Sequence, residues 1–69
     1  MNAKYQHKIF RNHPRELIYK FHSNAPYIPH IGDKIVFSED WKAGEWFEVT
    51  SVHHYVLDNF IVINVNASA

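Results

Sequence analysis

The chain of 69 residues has no cysteine, two glycines and three prolines. Without cysteine there is no disulfide framework, no thiolate zinc site and no thiol nucleophile. It also lacks net charge, with 7 Lys+Arg against 7 Asp+Glu. That balance excludes the strongly basic footprint typical of a dedicated nucleic-acid binder. No apolar run is long enough to cross a membrane, and MNAKYQHKIF at the start holds no signal-peptide core. These absences lead us to expect a single soluble cytoplasmic domain over residues 1–69, with no membrane association. Its size and isolation suit a stand-alone accessory protein of a bacterium or phage.

What is present favours strands. Hydrophobic residues make up 46% and aromatic residues 16% of the chain, and seven Ile and six Val dominate the aliphatic set. β-Branched side chains suit a pleated surface. Residues 4–11 read as a strand with Tyr5, His7 and Ile9 on one side and Gln6, Lys8 and Phe10 on the other. Asn12-His13-Pro14-Arg15 reads as a turn. Residues 16–22 follow, where Leu17, Tyr19 and Phe21 alternate with Ile18, Lys20 and His22. Pro14, Leu17, Ile18 and Phe21 also match helical spacing, so a short helix near 14–22 competes with the strand. Aromatic and β-branched content favours the strand.

Residues 23–30 form a Pro-rich loop closed by Ile31-Gly32-Asp33, and residues 34–38 (KIVFS) are a short strand. Residues 39–45 read as a long hairpin loop. Residues 46–56 and 60–65 are strands joined at Leu57-Asp58-Asn59. With Asp58-Asn59 as a two-residue turn, Leu57 pairs with Phe60 and Val56 with Ile61. One face then carries Val52, His54, Val56, Ile61, Ile63 and Val65. His53, Tyr55, Leu57, Phe60, Val62 and Asn64 lie on the other. A phase slip at Thr50-Ser51 predicts a β-bulge. The expected fold is all-β: five short strands in a strongly bent antiparallel barrel.

The run Ile31-Gly32-Asp33-Lys34-Ile35-Val36-Phe37, then Trp46-Phe47, resembles the middle of a small Src-homology-3-like barrel over roughly residues 29–65. There a Gly-Asp turn launches a strand and an aromatic pair opens the next. The Ala-Leu-Tyr-Asp-Tyr and Pro-Ser-x-Tyr motifs of true Src-homology-3 domains are missing. The resemblance therefore implies a fold and no proline-peptide binding.

The six histidines show no His-x-His, His-x-x-x-His or His-Glu-x-x-His spacing, and His53 and His54 point to opposite faces of a strand. No metal site and no cofactor are expected. Ser23, Ser38 and Ser51 lack a nucleophile-elbow context, and the carboxylates fall in turns or outward positions, so no catalytic residue is assigned.

Two binding surfaces remain. If the Val52/Ile61 face is inward, then Tyr55, Leu57, Phe60 and Val62 form an outward apolar patch, the usual mark of a protein interface. Trp41 with Asp40 forms a second candidate anchor. This predicts a non-enzymatic protein-binding module, self-associating as a homodimer. The alternative is a single-stranded nucleic-acid binder using Lys4, Tyr5, Lys8, Arg11, Arg15, Tyr19 and Lys20, because the first 20 residues hold five bases against Glu16 alone.

Overall fold

The computed structural model describes residues 4–37 and 46–67. Among the described residues, strands β1 (Tyr5–Arg11), β2 (Glu16–Ser23), β3 (Lys34–Ile35), β4 (Phe47–Tyr55) and β5 (Phe60–Ala67) follow one another, with a 3₁₀ turn at Val56–Asp58. They form one curled sheet in the order β2-β1-β5-β4-β3. The expected all-β class and five strands are present. The sheet is mixed, not purely antiparallel, because β1 pairs with β5 in parallel. It is a half-barrel, since its edge strands β2 and β3 are not paired with each other.

The parallel pairing has a physical cause in β5. Ile61, Ile63 and Val65 on one face and Val62 and Asn64 on the other are all buried. A strand apolar on both faces is most stable in the middle of a sheet. Strand β5 sits there, with β4 on one side and β1 on the other.

The helix near 14–22 does not form. Residues 12–15 are a turn, containing a cis His13–Pro14 bond and His13 at φ 56, and β2 runs antiparallel to β1. Strand geometry lets Phe21 meet His7 and Tyr19 meet Ile9 across the pair. Arg11 donates to Glu16 and closes this hairpin.

The β4–β5 register differs from the expected one by two residues. Tyr55 pairs with Phe60 and His54 with Ile61, so the loop has four residues, not two. The 3₁₀ turn consumes Val56 and Leu57, and Asn59 takes the left-handed conformation at φ 52. A shift of two keeps every strand residue on its expected face, because side chains alternate with period two. The bulge falls where the phase slip predicts it, with Thr50 as the extra residue between the Val49 and Ser51 pairings.

A polar network secures that bulge. Thr50 Oγ1 donates to the Asn64 carbonyl at 3.1 Å and accepts from Asn12 Nδ2 at 3.1 Å. Asn64 Nδ2 donates to Ser51 Oγ at 2.9 Å, while Arg15 Nη1 donates to Asn64 Oδ1 at 2.6 Å. The side-chain groups of a nearly buried Asn64 are thereby satisfied.

The concave face is the core. It comprises Ile9, Ile35, Val49, Ile61, Ile63 and Val65, with Tyr5, Ile18, Phe21, Phe47 and Val52 packed round it. The 24–33 loop joins this side through Gly32. Its N–H donates to the Val49 carbonyl at 2.8 Å, and Val49 N–H donates to the Asp33 carbonyl at 2.9 Å. Gly32 adopts φ +94, a conformation that side-chain-bearing residues rarely take.

Candidate interaction surfaces

The β4–β5 hairpin presents its tip to solvent. Leu57 is 98% exposed, Val56 69% and Tyr55 50%. The tip is held by its backbone, as Asn59 N–H donates to the Val56 carbonyl and Gln6 N–H donates to the Asn59 carbonyl at 3.0 Å. Beneath it, the Tyr55 and Phe60 rings stack with centroids 5.7 Å apart and planes 24° apart. Lys8 Nζ lies 5.5 Å from the Phe60 ring centre. Val62, expected on the outward patch, is buried with 8% exposure, and Phe60 is half-buried. Val62 lies between Lys8 and His53 in the sheet register, and long flanking side chains can cover such a position. The apolar surface is thus a tip of Tyr55, Val56 and Leu57. Trp41 and Asp40 lie outside the described residues.

The seven residues of the nucleic-acid reading do not share one surface. Tyr19 stands opposite Ile9 on the concave side, and Tyr5 packs against the core with its ring 6.3 Å from that of His54. Lys8 and Lys20 oppose each other on the convex side, where Lys8 is also in register with Val62. Arg15 lies over the Phe10 ring at 4.3 Å. Arg11 is tied to Glu16, and Lys4 is exposed just ahead of β1.

Among the described residues, aromatic rings and not backbone hydrogen bonds join the two sides of the half-barrel's mouth. Tyr19 on β2 meets Phe37 at 5.2 Å, and Phe37 meets Phe47 on β4 at 5.4 Å. On the other side Tyr19 contacts Phe21 at 5.7 Å, and Phe21 contacts Tyr27 at 6.3 Å. Periodicity within each strand contained no sign that residues 19 and 37 meet.

Sequence reasoning also missed the role of His7. Its side chain is fully buried, stacked on Phe21 at 4.2 Å with the rings 2° from parallel. Nε2 accepts the backbone N–H of Tyr27 at 2.9 Å, while the buried Nδ1 makes no hydrogen bond of good geometry among the described residues. Because Nε2 accepts, the proton of the neutral ring sits on Nδ1. Loss of hydration lowers its pKa from the ordinary 6.5; His22 and His54 act in the same direction, and the Phe21 and Tyr5 backbones oppose it. Desolvation likewise raises the Tyr27 phenol, with Asp33 adding to the effect. The one sequence signal was His7 sharing a phase with Tyr5 and Ile9.

Among the described residues no three His, Asp or Glu side chains are grouped to hold a metal ion. No helix among them is long and apolar enough to cross a membrane. Compared with protein-family models, curated proteins and solved structures, the chain matches none.

Proposed function

We propose that this chain is a non-enzymatic protein-binding domain of the cytoplasm that acts by occupancy and self-associates through its β4–β5 hairpin tip. The supporting observation is Leu57, an aliphatic side chain 98% exposed at the apex of the hairpin. Val56 and Tyr55 extend the apolar surface beside it. The 3₁₀ turn and the Gln6–Asn59 hydrogen bond fix the backbone beneath, so little entropy is lost when a partner closes over the tip. Trp41 and Asp40 form a second anchor in this reading. The likeness of residues 29–65 to a small Src-homology-3-like barrel belongs to it as well. It rests on the Gly32-Asp33 turn that launches β3 and on the bulged β4 beside β5.

Sedimentation of the wild type against Val56→Ser/Leu57→Ser tests the proposal, because both side chains are exposed and their loss leaves the core intact. The wild type sediments as a dimer and the double variant as a monomer. A wild type that stays monomeric, together with unchanged binding partners for the double variant, would overturn it.

A further inference from the structure

The convex side of the sheet breaks a rule of strand pairing. Lys8 of β1 and Lys20 of β2 stand directly opposite each other. Like charges at such positions are destabilising. No carboxylate among the described residues relieves them. Glu16 is engaged by Arg11, Asp33 accepts from His30 N–H, Glu48 is opposite Lys34 and Asn66, and Asp58 is in the hairpin turn. A third cation lies on this side, since Arg15 covers Phe10 and reaches Asn64. His22, opposite Gln6, and His53, opposite Val62, share the face.

Beside Lys8 stands a pair of stacked aromatic rings. Tyr55, half-exposed, stacks on Phe60, which Lys8 also touches. From β2 to β4 the face spans three strand spacings, about 14 Å. Cations alone would suit any polyanion, including an acidic peptide. An exposed ring backed by a second ring adds a place for a base, which no carboxylate side chain can use.

We propose that this convex face binds single-stranded nucleic acid, with Lys8 and Lys20 on consecutive backbone phosphates and Tyr55 stacked on a base. The site shares Tyr55 with the hairpin tip and makes no use of Val56 or Leu57. It replaces Tyr5 and Tyr19, whose rings belong to the concave side, by the Tyr55–Phe60 pair.

Fluorescence anisotropy with 5′-labelled oligo-dT of twelve nucleotides, at about 50 mM salt and then at rising salt, tests it. The wild type binds, and its affinity falls with salt. Lys8→Gln/Lys20→Gln weakens binding about tenfold and lowers the logarithmic salt slope by about 1.4, the amount expected for two single-strand phosphates. Tyr55→Ala weakens binding about fivefold and leaves the slope unchanged, because stacking releases no counterions. Absence of binding to either oligo-dT or oligo-U would overturn the proposal. So would an unchanged slope in the lysine variant, or displacement by poly-glutamate as effective as by unlabelled oligo-dT.

Discussion

His7 and Tyr27, twenty residues apart, are joined by a hydrogen bond in which a buried imidazole accepts a backbone N–H at 2.9 Å. The bond connects the centre of β1 to the 24–33 loop, and only the neutral ring can make it. Protonation would turn Nε2 into a donor facing another donor.

The pH dependence of stability follows. The His7 pKa is lowered in the folded state, so below 6.5 the unfolded chain binds more protons than the folded one. The stability contributed by neutral His7 is complete above 6.5. It declines as the pH falls through 6.5 toward the lower folded value. Urea midpoints at pH 7.5 and 5.5 should differ more for the wild type than for His7→Gln, whose remaining histidines supply a common background. Equal differences in the two proteins would exclude His7 as the source.

Tyr19 and Phe37 should couple energetically. Their contact links β2 to the segment after β3, which share no ladder. A double-mutant cycle of Tyr19→Ala and Phe37→Ala is expected to give a coupling of about 0.5–1.5 kcal/mol, typical of an aromatic pair. Simple additivity would show that the mouth is not held by these rings.

Asn64 is the centre of the bulge network. Asn64→Ala leaves Ser51 Oγ and the Arg15 guanidinium without their shared partner. The expected loss is about 1–3 kcal/mol in chemical denaturation. Hydrogen exchange should accelerate most at Thr50 and Ser51, whose positions the network sets.

Gly32→Ala tests conformation separately from packing. A Cβ at Gly32 would meet nothing within 4 Å, yet the residue sits at φ +94. The cost, about 1 kcal/mol, is therefore backbone strain alone. Gly32→Asn should cost less than Gly32→Ala, because Asn tolerates positive φ better. A thermal melt in which both variants match the wild type would contradict this account.

Much of the local structure was legible. The phase of β5 followed from alternation, in Ile61, Ile63 and Val65, and the break in phase at Thr50-Ser51 located the bulge. In β2 alternation put Ile18 and Phe21 on opposite sides, whereas a register shift against β1 packs both onto the core. The two-residue error in the hairpin arose because Val56 and Leu57 continue the apolar alternation while the chain turns through them. Hydropathy alone cannot separate a strand end from an apolar turn. Val62 was misjudged for a related reason: its burial depends on side chains from β1 and β4, and those neighbours are not adjacent in sequence.

The binding residues divided along the same line. Charge counting found the basic first 20 residues, but only the β1–β2 register placed Lys8 opposite Lys20 and sent Tyr19 to the other side. His7 stood in a core phase, yet its acceptor role needed the 24–33 loop to return over β1.

The absence of cysteine, together with the Ile- and Val-rich alternation, determined by itself a strand-rich chain without disulfide cross-links, and left residues 14–22 open between strand and helix. These are properties of short segments, and local sterics and side-chain period suffice to read them. The tertiary structure decided that β5 lies between β1 and β4, that β1 runs parallel to it, and that the barrel stays half-open with aromatic rings across its mouth. Those outcomes depend on which distant surfaces exclude water best together. That competition is settled only when the whole chain is folded.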